Sequence, residues 1–254
     1  MEKSAAPENV NVGFAGPGQP PMQMAPMGQP PMVVVPQGLP PGLAYLGALN
    51  EIRIHQHFDT LEVVVGWERN NKYRICNNAD QQFMYAKEDT DCCTRQICGP
   101  LRPFLMDIMD NQMQPLIRLD RPLRCQSSLF WCCYLQEIDI QSPPGISIGS
   151  VKQLWTPWKP KFEVLDAQGT AHFLIEGECC FCCPCTDITF QVYTADKNMK
   201  LGEIIKHWGG CREILGGVND FSVTFPPDLD VMKKALLLSA TFLIDFNYFE
   251  RSKN

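Results

Sequence analysis

The side chains most able to do chemistry in this sequence are cysteines in two clusters. The run Cys179–Cys185 holds five of them, and the pair Cys132-Cys133 follows Phe130-Trp131. Because the N-terminus has no apolar signal segment, we expect reduced thiols, and adjacent cysteines do not readily pair. The total of 13 is odd, which excludes a framework that pairs every cysteine. Lipid attachment, metal binding and burial remain, and the neighbouring aromatic residues favour lipid attachment at a membrane face.

Metal binding by the run Cys179–Cys185 is the main alternative. Its overlapping Cys-x-x-Cys spacings could begin a tetrahedral zinc site. The sequence offers no second Cys-x-x-Cys or histidine pair of the usual spacing. The four histidines are scattered along the chain: His55, His57, His172 and His207. Over zinc we therefore favour a cysteine-rich turn or a second acylation patch, which would use Cys182, Cys183 and Cys185.

Composition and motifs exclude several other functions. The formal net charge of −6 in 254 residues argues against a nucleic-acid binder, whose binding face would be basic, and against polybasic docking on an anionic leaflet. The sequence contains no G-x-S-x-G, P-loop or H-E-x-x-H motif. The isolated thiols Cys76 and Cys211 are expected in the core. We therefore expect a protein that is not an enzyme.

The composition of the chain changes near residue 43. Residues 1–42 are rich in proline, glycine and methionine and bury too little apolar surface to fold, so we expect a disordered tail biased towards polyproline II. Its segment Pro17–Pro20 has the PxxP spacing but no flanking basic residue. A solubilising spacer is therefore favoured over a ligand for proline-motif-binding proteins. Residues 43–254 are expected to form the folded domain.

Within residues 43–254, short β-rich runs separated by turn-forming residues predict about a dozen strands. Such spacing predicts a mainly β protein, either an antiparallel sandwich or a barrel. A closed antiparallel barrel is favoured because closure leaves no long unpaired edge. The predicted strands are Leu61–Gly66, Lys72–Cys76, Gln82–Ala86, Phe104–Asp110, Pro115–Leu119, Leu135–Ile140, Gly149–Gln153, Lys161–Leu165, Thr170–Ile175, Ile188–Tyr193, Leu201–Lys206 and Asp220–Phe225.

The last segment of the domain breaks this two-residue period. Ala235–Phe249 is apolar on nearly all sides, and two aspartates precede it where carboxylates can cap a helix. A helix over 231–249 would be interrupted by two lysines near its start and would place Asp245 at depth, both of which disfavour a bilayer span. We therefore predict a hydrophobic helix that fills the centre of the barrel, with a membrane span as the alternative.

Several motifs of the sequence resemble the phospholipid scramblase family. They follow the family order from Pro40 to Phe249 and so cover essentially the whole folded region. The motifs are Glu88–Arg95 (EDTDCCTR), Cys98–Phe104 (CGPLRPF), Arg121–Cys125 (RPLRC), Leu135–Ile138 (LQEI), Pro143–Gly145 (PPG), Lys206–Trp208 (KHW), Phe225–Val231 (FPPDLDV) and Phe242–Phe246 (FLIDF). The resemblance implies a tubby-like fold, in which twelve strands close around a C-terminal helix.

The resemblance also implies an activity and a location. Family members move phospholipids in both directions between membrane leaflets, without ATP and in response to calcium. A single short helix offers no hydrophilic path through a bilayer, so scrambling would require a homo-oligomer. The alternative is a palmitoylated adaptor with little scrambling of its own. The expected location is the cytoplasmic face of the plasma membrane, and the segment 202–210, with a single lysine, does not predict nuclear import.

The family's palmitoylation site lies between the RPLRC and LQEI motifs. In this sequence that interval keeps only Cys132 and Cys133, flanked by aromatic residues. Two acyl chains anchor a protein where one is marginal, and aromatic rings suit the headgroup boundary. We expect palmitate on these two thiols, and the alternative is that they pack as small apolar residues against the barrel.

The family's calcium response points to the segment 219–230. Its candidate ligands are Asp220, Asp228 and Asp230, although the segment departs from an EF-hand loop at positions 1, 3, 5 and 12. The acidic residues usual just upstream are also missing. We therefore expect calcium binding to be weak or lost, and turn formation and helix capping are equally plausible roles for these carboxylates.

Overall fold

The computed structural model describes residues 41–57, 70–124, 135–178, 186–210 and 219–250. Within these ranges twelve strands form a closed barrel in which sequential strands pair antiparallel and β1 pairs with β12. The strands are β1 (Glu51–Gln56), β2 (Lys72–Cys76), β3 (Gln82–Asp89), β4 (Phe104–Asp110), β5 (Pro115–Arg121), β6 (Glu137–Ser142), β7 (Ile146–Leu154), β8 (Lys161–Asp166), β9 (Ala171–Gly177), β10 (Ile188–Thr194), β11 (Lys200–His207) and β12 (Asp220–Thr224). The predicted fold class is confirmed.

The first strand differs from the prediction. The predicted strand Leu61–Gly66 and the predicted tail up to residue 40 lie outside the described residues. The barrel instead begins with β1, whose sequence EIRIHQ has only Ile52 and Ile54 as apolar residues. Both are buried, and β1 closes the ring by pairing with β2 and β12. Two apolar residues are too few to predict a strand from the sequence. In the structure, β1 is stabilised by pairing with a strand on each side, which closes the barrel.

In the described ranges, two α-helices and two 3₁₀ helices accompany the strands. They are the 3₁₀ helices Pro41–Ala48 and Gly99–Leu101, the short helix α1 (Cys92–Cys98) and the C-terminal helix α2 (Val231–Tyr248). The helix predicted over 231–249 thus ends one residue earlier in the structure. Asp230 caps α2 by accepting a hydrogen bond from the Met232 backbone N–H at 2.9 Å, which satisfies one of the otherwise unpaired amides of the first turn.

Helix α2 fills the barrel. Its residues from Ala235 to Phe246 are all buried, and its aromatic side chains meet rings from the strands. The ring of Phe242 lies 5.1 Å from that of Tyr73 on β2, and the ring of Phe246 lies 4.1 Å from that of Phe104 on β4. The prediction of a central helix is therefore confirmed. In the parts of the chain that the structure describes, no helix is long and apolar enough to cross a membrane.

Successive connections of an antiparallel barrel alternate between its two ends. In this barrel the connections at one end are shorter than those at the other. Connections of three to five residues join β2 to β3, β4 to β5, β6 to β7, β8 to β9 and β10 to β11, and we call this the short-turn end. The connections at the opposite end are longer, and we call it the long-loop end. They comprise residues 57–71, 90–103, 122–136, 155–160, 178–187 and 208–219.

Candidate functional site

The long-loop end carries, by position in the sequence, the two cysteine clusters that the sequence singled out for lipid attachment. Every cysteine except Cys76 lies, by position in the sequence, in one of its connections. The same is true of all five tryptophans: Trp67, Trp131, Trp155, Trp158 and Trp208. Indole rings with an apolar body and one polar N–H are suited to the boundary between water and lipid. The long-loop end is therefore our candidate functional site.

Two tryptophans occupy the connection from β7 to β8. Trp155 and Trp158 are 53% and 77% exposed, respectively. The hydroxyl of Thr156 donates a hydrogen bond to the carbonyl of Lys159, which closes the turn between them, and the carbonyl of Pro160 accepts one from the Gly177 N–H at 2.9 Å. The connection thus presents two large indole rings to solvent on a hydrogen-bonded turn.

A third exposed tryptophan, Trp208, is held by an aspartate from the neighbouring connection. Asp187 accepts hydrogen bonds from the backbone N–H of Trp208 at 2.8 Å and from Nδ1 of His207 at 3.0 Å. These bonds, with the Trp208 amide as the largest contributor, lower the pKa of Asp187 below its ordinary value. Trp208 is 40% exposed. The start of β10 and the end of β11 are thereby joined at this end of the barrel.

The predicted palmitoylation site lies in the connection from β5 to β6. Cys132 and Cys133 are outside the described residues, but the residues on the two sides of this gap contact each other. Arg124 forms an ion pair with Glu137 and donates to the carbonyl of Leu135 at 3.3 Å. Nε2 of Gln136 donates to the carbonyl of Arg124 at 2.9 Å. The two flanks of the connection are therefore fastened to each other.

The other predicted lipidation residues also lie outside the described ranges. They are Cys182, Cys183 and Cys185, in the connection from β9 to β10.

Among described cysteines at this end, Cys93 of α1 is exposed, and the neighbouring Ile97 is 83% exposed. Asp91 caps α1 by accepting from the Thr94 N–H at 2.9 Å. The side chain of Thr94 also bonds Asp91, and these contacts lower the pKa of the Asp91 carboxyl.

A buried ionic cluster supports the long-loop end from inside. Arg102 donates to both carboxylate oxygens of Glu88, at 2.7 and 3.0 Å, and to Glu250 at 2.6 Å. Burial disfavours the charged guanidinium, but the two carboxylates outweigh it and raise the pKa of Arg102. Breaking one partner of such a buried pair leaves an uncompensated charge. The cluster therefore fixes the residues that follow α2 to this end of the barrel.

A second buried group lies beside this cluster. The carboxyl of Asp245 on α2 accepts hydrogen bonds from the Tyr73 hydroxyl at 2.7 Å and from Nδ2 of Asn219 at 2.8 Å. Its complete burial raises its pKa from 3.8 to about 7, and the two hydrogen bonds only partly oppose this effect. Asp245, which sequence reasoning treated as an obstacle to a membrane span, thus attaches α2 to β2 and to the residue before β12.

The three predicted calcium ligands are not brought together. Asp220 begins β12 near the long-loop end, where its carboxylate lies 3.0 Å from Nδ1 of His55. Asp230 caps α2 beyond the other end of β12, and Asp228 precedes it in the turn. The five residues of β12 span about 16 Å. Calcium binding by these residues stays a prediction, and the capping role of Asp230 is directly observed.

Sequence reasoning missed Trp155 and Trp158 as functional candidates. The available signal was their Trp-x-x-Trp spacing between two predicted strands, with Pro157 and Pro160 marking a turn. Their place beside the cysteine-bearing connections depends on which connections share an end of the barrel. The described part of this end, with exposed indole rings and apolar side chains, is suited to a lipid boundary.

Comparisons with known proteins identify the family. The family model "Scramblase" matches residues 29–251. The chain is 48% identical to phospholipid scramblase 2 of Bos taurus over 84% of its length and 72% of the relative's, and 48% identical to phospholipid scramblase 1 of Homo sapiens over 82% and 66%. It is 40% identical to phospholipid scramblase family member 5 of Homo sapiens over 83% and 78%. No solved structure matches the chain.

Proposed function

Because this chain belongs to the scramblase family, we propose that it promotes ATP-independent, calcium-responsive movement of phospholipids between the two leaflets of a membrane. The proposal places the long-loop end against the cytoplasmic face of the plasma membrane, attached by palmitate on Cys132 and Cys133. Lipids move without a covalent step, so the proposed protein is not an enzyme. The relatives are named phospholipid scramblases.

One observation carries the proposal beyond family membership, and it is the one-sided distribution of the tryptophans. The exposed Trp155, Trp158 and Trp208 lie in connections of the same end as both cysteine clusters. Two acyl chains and several interfacial indole rings together are sufficient for stable attachment, whereas one acyl chain gives only marginal binding. The short-turn end has no tryptophan in its described connections.

The filled barrel constrains how lipids could move. Leu237 and Phe242 are fully buried inside it, so a headgroup has no path through the barrel of one molecule. Movement would have to follow a surface formed by several copies, which makes a homo-oligomer part of the proposal. The same observation favours a second candidate function, that of an acylated adaptor that uses the barrel and residues 1–42 for partner binding.

Reconstitution separates these two functions. The full chain is placed in liposomes that contain a fluorescent phospholipid, and a membrane-impermeant quencher reports the fraction of label that reaches the outer leaflet. Faster equilibration than in protein-free liposomes, increased by calcium and restored to its basal rate by a chelator, supports the scramblase. A rate equal to that of protein-free liposomes, with the protein bound to the membrane, contradicts it and leaves the adaptor.

Acylation is tested in cells by fractionation. Replacing both Cys132 and Cys133 by serine should shift much of the protein to the soluble fraction. Hydroxylamine, which cleaves the thioester of palmitate, should have the same effect on the protein without substitutions. Cys98→Ser serves as the matched control, because this described thiol lies at the same end outside the predicted patch. Full membrane association after hydroxylamine would contradict attachment by palmitate.

A further inference from the structure

The cysteine that lies apart from the others, Cys76, belongs to a group of potential metal ligands. His55 is on β1, Cys76 ends β2, and Asp80 lies in the turn from β2 to β3. One ring nitrogen of His55, the sulfur of Cys76 and one carboxylate oxygen of Asp80 all lie within 4.8 Å of one another. The ligands of a tetrahedral zinc ion are about 3.4 Å apart, given bond lengths of about 2.0–2.3 Å. Small side-chain rotations would therefore bring the three atoms to ligand positions.

The strand register explains why these residues meet. Ile52 and Ile54 of β1 point into the barrel, so Arg53 and His55 lie on its outer face. Cys76 is paired with Arg53 and therefore faces outward too, yet it is completely inaccessible to solvent. The fold thus buries a thiol on the outer face of the barrel, close to a histidine and an exposed aspartate.

A carboxylate on the far side of the ring orients His55. Oδ1 of Asp220 lies 3.0 Å from Nδ1 of His55, in hydrogen-bond geometry. When Nδ1 carries the proton that this bond needs, the lone pair of Nε2 is directed away from Asp220. A carboxylate–histidine pair of this kind commonly holds a metal-binding imidazole in position.

The second ring nitrogen, Nε2, faces the carboxylate of Asp80. The hydrogen bond to Asp220 raises the pKa of His55, so a metal ion at Nε2 would compete with a proton. Nε2 is buried and has no hydrogen-bond partner of acceptable geometry in the described residues, although Oδ1 of Asp80 lies only 3.0 Å away. At 3.0 Å, a hydrogen bond would form if Oδ1 of Asp80 lay along the direction of an Nε2–H bond. The oxygen therefore lies well off that direction. A metal ion about 2.0–2.1 Å from Nε2 can contact an oxygen off that line.

We propose that His55, Cys76 and Asp80 bind a zinc-class divalent metal ion on the outer face of the barrel, with Asp220 as the residue that positions His55. The donor set of nitrogen, sulfur and oxygen suits Zn²⁺ or Co²⁺, whereas Ca²⁺ takes oxygen ligands. Three protein ligands leave a fourth position for water or another ligand. The ion would connect β1 to the hairpin of β2 and β3, so binding would stabilise the strands at which the barrel closes.

Cobalt binding tests the proposal, because a Co²⁺–thiolate bond has a characteristic charge-transfer absorption. Titrations use the reduced full chain, with Cys98→Ser as the control for unrelated thiols. Compared with the unmodified chain and this control, Cys76→Ser should lose one equivalent of bound Co²⁺ and part of the absorption. Asp80→Asn should weaken that equivalent at least tenfold. This second variant is expected to fold, because Asp80 is exposed at φ 59° and asparagine tolerates that conformation.

Competition identifies the class of ion. Zn²⁺ should displace the Cys76-dependent Co²⁺ and raise the unfolding temperature of the unmodified chain, and excess Ca²⁺ should do neither. Asp220→Asn should lower the affinity about tenfold to a hundredfold while leaving the thiolate band in place at saturating metal. Equal Co²⁺ stoichiometry and affinity in the unmodified chain, Cys76→Ser and Asp80→Asn would overturn the proposal and leave a protonated His55 between its two carboxylates.

Discussion

At the scale of single residues, the aspartate that caps α2 and the aspartate near its C-terminal end have opposite environments. Asp230 is at the solvent-exposed start of the helix and satisfies a backbone amide, whereas Asp245 is completely buried near its end. The carboxylate of Asp230 accepts a hydrogen bond from a backbone amide, whereas loss of water destabilises the charged form of Asp245. Each environment predicts a distinct effect of substitution.

Asp245 should make stability depend on pH. Its pKa is about 7 in the folded protein, against an ordinary value of 3.8, so between these values the folded state binds more protons than the unfolded state. The free energy of unfolding should therefore fall as pH rises from about 4 to about 7, by up to about 4 kcal/mol from this group. Burial also raises the pKa of Glu250, which adds a slope of the same sign.

Asp245→Asn should reduce this slope without abolishing it. The amide keeps an oxygen that can accept from Tyr73 and Asn219 but has no proton to lose. Urea unfolding measured at several pH values gives the result, and Glu163→Gln on β8 is the control, because it removes a carboxyl that is only partly buried. An unchanged slope in Asp245→Asn would show that this carboxyl does not titrate between pH 4 and 7.

The cap of α2 gives a smaller prediction. Asp230→Ala should lower the free energy of unfolding by about 1 kcal/mol, because the Met232 amide loses its acceptor. Asp230→Asn should retain most of the stability, since asparagine also caps helices well. Equal losses in the two variants, measured by urea unfolding, would assign the effect to charge and not to the hydrogen bond.

The predicted calcium site is tested separately from the cap. If Asp228 and Asp230 contribute ligands, calorimetry of the unmodified chain should give a binding heat at millimolar calcium, and alanine at both positions should remove it. The absence of this heat in the unmodified chain would contradict a calcium role for these residues and leave capping alone.

At the scale of elements, α2 is the core of the barrel, and its stability depends on packing more than on helix propensity. Leu237→Ala should cost about 2–5 kcal/mol, because it removes a completely buried side chain. Leu237→Asp should unfold the domain, since it adds an unpaired buried charge. Met232→Ala, at a half-buried position of the same helix, should cost less. A soluble, cooperatively folded Leu237→Asp variant would contradict the central-helix arrangement.

At the scale of the whole molecule, the two ends of the barrel should differ in membrane binding. Replacing Trp155 and Trp158 by serine removes two exposed indole rings at the long-loop end, and we expect at least a tenfold loss of liposome binding by the unacylated full chain. The matched control replaces Ile146 and Met199 by serine. These apolar side chains, 62% and 56% exposed, lie at the short-turn end. Equal losses in a liposome co-sedimentation assay would contradict a membrane-facing long-loop end.

Much of the fold was predictable because it depends on local patterns. Alternating burial along strands such as β4 and β8 reflects a two-residue period that the sequence shows directly, and their predicted bounds agree with the structure to within a residue. The continuous apolar segment from Ala235 indicated a central helix because only an enclosed interior covers all sides of a helix. β1 was not predictable, since its stability comes from pairing with strands on both sides.

The sequence by itself determined the fold class and the family resemblance and located the cysteine clusters, because these depend on residue type and short-range spacing. The tertiary structure alone decided which of these residues share a surface. Sequence reasoning dismissed His55 and Cys76 as scattered and isolated, but the register of β1 and β2 and the turn at Asp80 bring them together. Lys234, seen in the sequence as an interruption, donates to the carbonyls of Gly47, Leu49 and Pro227. Such contacts join residues far apart in the chain, and local patterns carry no information about them.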